Sequence, residues 1–147
     1  MSACASDDPR LRVAGTYRLG SITARIGDGP FTDIYEHAPT GYAIITPTRF
    51  MAVITAGGRH FGTTQADKAA LFDSLIAYTG TYRIEGSNFI TEVDVSWIEY
   101  CNGTDQGRTF ELSADKLILT TWPAPSHQDP AVSRVARVVW ERQDESV

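Results

Sequence analysis

The feature that most constrains the fold of this sequence is a series of eight short runs rich in β-branched and aromatic residues. Glycine, proline, asparagine and aspartate break the runs, and several of the breaks are very short. Such tight links favour antiparallel neighbours, because parallel strands need crossover connections of about a dozen or more residues. The eight predicted strands are 15–26, 41–46, 50–56, 81–85, 89–97, 106–112, 116–122 and 133–142.

One segment, residues 65–78, differs from the rest because its apolar side chains recur at helical intervals. Thr64 precedes it as a capping residue, with Asp67 three positions on, and Gly80 follows as a stop. Eight antiparallel strands in an open sheet would leave two exposed edges, and closure removes them. The sequence therefore predicts an all-β fold, an eight-stranded antiparallel up-and-down barrel with one flanking α-helix near residues 65–78 and room inside for one small ligand.

Length and composition indicate one domain, residues 1–147, with residues 1–10 and 143–147 as frayed ends. The chain is 42% hydrophobic and 21% charged, as in an ordinary soluble protein, and its net charge of -5 argues against a phosphate-binding surface. The first residues lack the apolar core of a signal peptide, and no apolar stretch is long enough to span a membrane. We therefore expect a cytoplasmic protein that binds neither nucleic acid nor membrane.

No motif for a metal or a nucleotide cofactor stands out. Cys4 and Cys101 lack metal-ligand spacing, as do the histidines. Glycines 57, 58 and 62 lack both the P-loop lysine and the dinucleotide-binding spacing. The sequence therefore predicts a protein without metal or cofactor.

The strand predicted at residues 106–112 has polar side chains on the face that looks inward. Gln106, Arg108 and Phe110 share this face, which carries more apolar surface than the opposite one. Arg108 is therefore predicted to lie inside the barrel. A guanidinium in such a place must be paired and hydrogen-bonded, so a carboxylate is expected nearby.

The strand predicted at residues 89–97 offers that carboxylate. Glu92 and Asp94 share one face, and alternation alone leaves open whether that face points in or out. If the opposite, apolar row fills a solid core, both carboxylates are solvated surface charges. The expected internal Arg108 favours an inward Asp94, with Glu92 as the other candidate.

An interior pair of Arg108 and Asp94 has two interpretations. In the structural one it is a fixed polar network that holds strand register. In the functional one Arg108 and Gln106 orient a ligand carbonyl or carboxylate, while Asp94 or Glu92 exchanges a proton. His60 is a further catalytic candidate, because the glycine-rich segment around it is placed to fold over an opening between strand and helix.

Aromatic side chains are the remaining candidates for ligand contacts, since each joins an apolar body to a face or a hydrogen-bonding group. Most aromatic residues on strands are core. Trp97 and Trp122 each lie where a strand runs into a loop, so they are placed to gate a barrel mouth. The predicted aromatic contacts are Tyr42, Tyr78, Trp97, Phe110 and Trp122.

Six short motifs in one order carry a family resemblance through most of the chain. They are Gly15-Thr16-Tyr17-Arg18-Leu19, Gly41-Tyr42 with Thr46-Pro47, Ala77-Tyr78-Thr79-Gly80-Thr81-Tyr82, Val93-Asp94-Val95-Ser96-Trp97, Gly103-Thr104-Asp105-Gln106 and Trp140-Glu141-Arg142. Together they resemble the lipocalin-like domain family of small microbial proteins, although the usual Trp after the first Gly is Tyr17 here. The resemblance implies a calycin-type barrel around a small-molecule cavity, in a fold whose members include carriers and enzymes.

Two classes of function follow. The favoured one is a cofactor-independent enzyme, an isomerase, cyclase or lyase, that catalyses acid–base rearrangement of a small, largely apolar molecule in secondary metabolism. Isomerisation, cyclisation and dehydration are the reactions considered. The alternative is a non-catalytic carrier or binding protein for a small hydrophobic or amphipathic ligand. We expect a monomer or a homodimer, and no apolar stripe in the sequence demands the dimer.

Overall fold

Eight antiparallel strands close into a barrel in this computed structural model, which describes residues 8–126 and 129–144. Strands β1, β3, β4, β5, β6, β7, β8 and β10 follow one another around the barrel, and β10 pairs with β1. The predicted architecture is thus confirmed. The elements are α1 Pro9–Val13, β1 Gly15–Ile26, β2 Thr32–Asp33, β3 Thr40–Ile45, β4 Arg49–Thr55, α2 Gln65–Asp73, β5 Leu75–Glu85, β6 Asn88–Ser96, a 3₁₀ helix Glu99–Cys101, β7 Asp105–Leu112, β8 Lys116–Thr121, β9 Ala124–Pro125 and β10 Ser133–Arg142.

The two ends of the barrel differ in their connections. At one end, which we call the closed end, short turns join β3 to β4, β5 to β6 and β7 to β8. At the other, the open end, the longer connections run from β1 to β3, from β4 through α2 to β5, from β6 to β7 and from β8 to β10. Since long connections leave space between them, the open end is where a ligand can enter.

The N-terminal segment plugs the closed end. Val13 and Tyr17 are fully buried, and the Tyr17 hydroxyl donates a hydrogen bond to the carbonyl oxygen of Val13 at 2.7 Å. The Arg142 guanidinium lies 5.0 Å from the centre of the Tyr17 ring. It also donates to the carbonyl oxygens of Ala14 and Arg12, at 2.8 and 2.7 Å. The last strand therefore fastens the first one, and no ligand passes at this end.

Four aromatic rings fill the interior above this plug. Phe89 stacks on Tyr82 with ring centres 4.6 Å apart, and it meets Phe50 and Phe110 edge-on at 5.7 and 6.3 Å. Phe50 and Phe89 are almost completely buried. The half of the barrel near the closed end is therefore a solid core, and any interior space lies toward the open end.

Tyr82 makes stability depend on pH in the alkaline range. Its hydroxyl donates to the carbonyl oxygen of Thr46 at 2.7 Å, and burial raises the pKa of Tyr82 to about 12, above the value of about 10 for an exposed tyrosine. The folded state holds this proton more tightly than the unfolded state does. The stabilisation is therefore complete below about pH 10 and is lost as pH rises through about 12.

We expect Tyr82→Phe to flatten the loss of unfolding free energy between about pH 9 and pH 11.5, while it lowers stability at neutral pH by removing the hydrogen bond to Thr46. Urea unfolding across this range measures both effects. Tyr100→Phe is the matched control, because Tyr100 is 72% exposed. Equal alkaline slopes in the wild type and Tyr82→Phe would contradict the prediction.

Helix α2 is shorter than the sequence predicts. It ends at Asp73, and residues 75–78 begin β5, where Leu75 pairs with Thr55 of β4. The backbone N–H of Ser74 closes the helix onto the carbonyl oxygens of Leu71 and Phe72. The prediction to residue 78 was wrong because apolar residues at 72, 75 and 76 fit both a helical spacing and the start of a strand.

A second helix, α1, also departs from the prediction of a single helix. Pro9 and Arg10, expected in a frayed end, belong to this helix, which Asp8 caps by accepting from the backbone N–H of Arg10. Gln143 bonds through its backbone N–H to Thr16. The remaining predicted frayed residues, 1–7 and 145–147, lie outside the described residues. No helix in residues 8–126 and 129–144 is long and apolar enough to cross a membrane.

Candidate ligand-binding cavity

A cavity of about 190 Å³, which we call the inner cavity, lies in the half of the barrel near the open end. A wider space of about 460 Å³, the vestibule, lies between α2, the start of β5, the end of β6 and the segment around Tyr35. The two share Ile34, Ile76, Trp97 and Arg134, so the vestibule and the inner cavity adjoin each other. The apolar wall of the inner cavity consists mainly of Ile22, Ala52, Ile54, Val93, Leu119, Ala136, Val138 and Trp140.

Some polar groups on the inner wall already serve the fold. Ser96 accepts a hydrogen bond from the backbone N–H of Ile98 at 3.2 Å. Thr121 accepts one from the backbone N–H of Ala136 at 2.9 Å. These two hydroxyls therefore hold strand ends as well as facing the cavity.

Gln106 and Arg108 keep most of their hydrogen-bonding capacity for the cavity. The Gln106 amide nitrogen donates to the Thr104 hydroxyl at 2.8 Å, which leaves its carbonyl oxygen as an acceptor. Arg108 makes one weak bond, from Nη1 to the carbonyl oxygen of Gly107 at 3.3 Å. Both side chains line the inner cavity, which is the orientation that their strand's alternation predicts.

Among the described residues, Arg108 does not form the expected internal pair with a carboxylate. None of the ion pairs within residues 8–126 and 129–144 includes Arg108. Asp94 instead pairs with Arg49 on the outside of the barrel, through two hydrogen bonds of 3.0 and 2.8 Å. The Arg49 guanidinium lowers the pKa of the Asp94 carboxyl, so it stays ionised. Glu92 is also exposed, 3.7 Å from Arg83.

The predicted inward orientation of Asp94 was therefore wrong. Phe89, Thr91 and Val93 of β6 are the buried row, and Glu92 and Asp94 lie on the opposite face. Burying the apolar row removes hydrocarbon from water, whereas burying the carboxylates would strip two charges of their hydration. Of the two alternatives that the sequence left open, the solid apolar row is the one observed, and the proton-exchange role of Asp94 or Glu92 loses its geometry.

A β-bulge at Asp94 then reverses the alternation of β6. Val93 pairs with Gly80 and Val95 pairs with Thr79, so Asp94 is one extra residue. Val95 is consequently exposed, and Ser96 turns into the inner cavity. The only local signal for this is Gly80 within a strand pattern, which often marks a bulge or a close backbone contact.

Three predicted aromatic contacts lie inside the barrel. Trp97 lines both the inner cavity and the vestibule, so it stands where the two join. Tyr78 lines the inner cavity, with its ring 5.4 Å from that of Phe50. Phe110 points inward but packs on the core beneath the cavity rather than lining it.

Two predicted aromatic contacts lie outside. Tyr42 of β3 pairs with Val53 of β4 on the outer face, and both side chains are about half exposed. Trp122 lies over Gly107, on the face of β7 opposite Arg108; a β-carbon at Gly107 would overlap its ring. Neither Tyr42 nor Trp122 borders the inner cavity or the vestibule, so the predicted gating role of Trp122 has no support in its position.

His60 is likewise away from the cavity. It is exposed in the connection between β4 and α2, and it borders neither space. The glycines before it pack elsewhere, Gly57 against Ala38 and Gly58 against the His37 ring. The segment therefore does not fold over the barrel mouth through His60.

Arg134 is the main cavity residue that was not predicted from the sequence. It begins the inward row of β10, ahead of Ala136, Val138 and Trp140, and it borders both the inner cavity and the vestibule. The same alternation that identified Arg108 places Arg134 inside, so the signal was present in the sequence. Cys101, a free thiol in the 3₁₀ helix, also reaches the inner cavity, whereas Cys4 lies outside the described residues.

Comparison with known proteins agrees with this architecture. The family model for a lipocalin-like domain matches residues 14–143, which include all eight strands of the barrel. The resemblance that the six motifs carry is thus confirmed. A search of the curated proteins finds no match to this chain.

Proposed function

Since the chain belongs to the lipocalin-like domain family, we propose that it binds a small, largely apolar organic molecule in the inner cavity. The observation that carries this proposal is an apolar space inside a closed barrel, which adjoins a wider vestibule at one end. Sites for small molecules typically have such apolar walls and a few well-placed polar groups. Here those groups are Tyr78, Gln106, Arg108 and Arg134.

The position of each group suggests how a ligand is held. Trp97 and Ile76 contact a molecule both during entry and after binding, because they border both spaces. Arg108 and the free carbonyl oxygen of Gln106 orient the polar end of the ligand. The apolar wall contributes through burial, at about 25 cal/mol for each Å² of hydrocarbon removed from water.

Catalysis is the second candidate function. It is favoured by one observation, that the Tyr78 phenol and the Arg108 guanidinium face the same apolar space and can both donate to a substrate carbonyl. Isomerisation or dehydration by a carboxylate base would need Asp94 or Glu92 inside, and both are exposed. The form of chemistry that fits this lining is cyclisation of a substrate held in a reactive conformer and polarised by these donors.

The binding proposal predicts that filling the cavity weakens binding. Ala136 is buried in the wall, so Ala136→Phe places a ring in the inner cavity, and we expect affinity to fall about tenfold or more, a free-energy loss of about 1.4 kcal/mol. Tryptophan fluorescence titration against a panel of terpenoid, polyketide-like and fatty compounds measures this, since Trp97 and Trp140 line the cavity.

Ala114→Phe is the matched control, because Ala114 is exposed in the short turn between β7 and β8, at the closed end. It is expected to bind like the wild type. Circular dichroism checks that both variants are folded. Equal affinity of folded Ala136→Phe and wild-type protein would overturn the assignment of the cavity, as would the lack of a saturable response to every compound.

The same compounds separate the two candidate functions. A carrier returns each bound molecule unchanged, and Tyr78→Phe still binds it. A catalyst yields a product with altered mass or chromatographic retention. In that case Tyr78→Phe is expected to form the product at least about tenfold more slowly, because removal of one donor to the transition state typically lowers the rate by more than this. Liquid chromatography with mass spectrometry after incubation gives the result.

A further inference from the structure

Two positively charged side chains line the inner cavity, and neither is paired with an acidic side chain in the part of the chain that the structure describes. The Arg108 side chain bonds only to the carbonyl oxygen of Gly107, and the Arg134 side chain forms no hydrogen bond or ion pair within residues 8–126 and 129–144. Both are partly buried. Partly buried charges are costly unless they are paired. Neither guanidinium has the counter-charge that would offset this cost.

Two partly buried arginines outside the cavity are paired with carboxylates. Arg49 pairs with Asp94 and Arg83 with Glu85, each at 2.8 Å. The chain has 18 acidic residues against 13 basic ones, so carboxylates are plentiful. Even so, the described acidic side chains that form ion pairs all do so on the outside.

Of the other partly buried arginines, Arg25 and Arg137 lie over the Phe31 ring, and Arg142 bonds to backbone carbonyl oxygens. Arg108 and Arg134, which line the ligand space, have neither a carboxylate nor an aromatic ring as partner in the described part of the chain.

The two cations share one wall of the barrel. Arg108 is on β7, which pairs with β8, and β8 pairs with β10, where Arg134 lies. Arg108 pairs with Thr121, whose hydroxyl is bonded to the backbone of Ala136. Arg134 lies two residues nearer the open end than Ala136, about 7 Å along the strand. Both guanidiniums therefore belong to the same wall of the cavity, in the half of the barrel near the open end.

The opposite wall is apolar. In the closed order of the strands, β4 and β5 lie across the barrel from β8 and β10. Their cavity side chains are Ala52, Ile54 and Ile76, with the Tyr78 phenol as the polar exception. The cavity thus has a cationic side and a hydrocarbon side, which favours a ligand with the same division.

We propose that the natural ligand is an organic carboxylate, with an apolar body against β4 and β5 and its charged group bound by Arg108 and Arg134. This inference rests on the proposed binding function and adds the chemical class of the ligand. The planar guanidinium donates two parallel hydrogen bonds to a carboxylate, so arginine suits this group better than a point charge does. Position at the junction with the vestibule lets Arg134 meet the anion as it enters.

Pairs of ligands that differ only in charge test the proposal. Isothermal titration calorimetry compares decanoate with decanamide, 2-naphthoate with 2-naphthamide, and 1-adamantanecarboxylate with its amide. We expect at least one acid to bind about tenfold or more tightly than its amide at low salt, since hydrogen bonds to charged groups are about twice as strong as neutral ones. Salt at about 1 M is expected to reduce the preference.

Arginine variants locate the effect. Arg108→Met and Arg134→Met are each expected to reduce the affinity for the acid about tenfold and to leave the affinity for the amide within about twofold. Arg137→Met is the matched control, because Arg137 is on the same strand but lies 4.2 Å from the Phe31 ring, away from the cavity. Arg108→Lys retains the charge and is expected to keep part of the preference, which covers the case in which Arg108→Met folds poorly.

The possible results test the carboxylate proposal separately from the proposed binding function. Equal binding of acid and amide in all three pairs overturns the carboxylate proposal and leaves the binding function intact. A preference that survives in both Arg108→Met and Arg134→Met also overturns it. Absence of binding by all six compounds counts against the proposed binding function itself.

Discussion

Replacement of Phe89 by alanine is expected to lower the free energy of unfolding by about 3–5 kcal/mol. Phe89 is 1% exposed, and its ring contacts those of Tyr82, Phe50 and Phe110. The substitution removes the central ring of this core, and the three surrounding rings lie on three different strands, so they cannot all move in to fill the space. Urea unfolding followed by circular dichroism measures the loss.

Phe61→Ala provides the matched control for this prediction. It deletes the same ring, but Phe61 is 93% exposed in the connection between β4 and α2, so we expect a change within about 0.5 kcal/mol. If Phe89→Ala costs less than about 1 kcal/mol more than Phe61→Ala, the four rings do not form the main core.

Valine at position 80 is expected to prevent the barrel from adopting its native register, with a cost of about 3 kcal/mol or more. Gly80 is buried in β5 opposite the bulge at Asp94, and a β-carbon there would overlap the carbonyl oxygen of Glu92 in the neighbouring strand. Strand β6 would have to move away from β5, and the hydrogen bonds between them would break. Urea unfolding gives the cost, and amide chemical shifts of β5 and β6 report the register.

Gly86→Ala separates this steric effect from the general loss of a glycine. Gly86 has a φ of +62° in the turn between β5 and β6, and open space surrounds the position of its missing β-carbon. We expect a cost of about 1–2 kcal/mol, which is the strain of a left-handed backbone alone. Native-like shifts and a loss no greater than that of Gly86→Ala in the Gly80→Val protein would show that the close contact is not essential.

The strands of this protein were predictable because alternation and turn residues are local signals. The first and last barrel strands, residues 15–26 and 133–142, begin and end where the sequence indicates. Closure follows from the number of strands and their short links. The end of α2 was not predictable in the same way, because residues 75–78 owe their strand conformation to pairing with β4, which is distant in sequence.

The site was predictable only in part. Alternation shows which residues share a face, and Gln106 and Arg108 were identified in this way. Alternation does not show which face is inside. For β6, the prediction of an inward Asp94 depends on the assumption that Arg108 needs a partner from its own chain. In the structure Asp94 forms its ion pair with Arg49, on the outside of the barrel. The bulge depends on a contact between Gly80 and Glu92 across two strands, which no single strand pattern reveals.

The pairing of β1 with β10 has a consequence for biosynthesis. The hydrogen bond from Arg142 to Ala14 joins positions 128 residues apart, so the barrel cannot close until Arg142 has left the ribosome. Until then the edge of β1 that pairs with β10 stays unpaired. Contacts so distant in sequence form slowly. Chains that end before the last strand would expose two unpaired strand edges. Premature termination is therefore expected to cause aggregation.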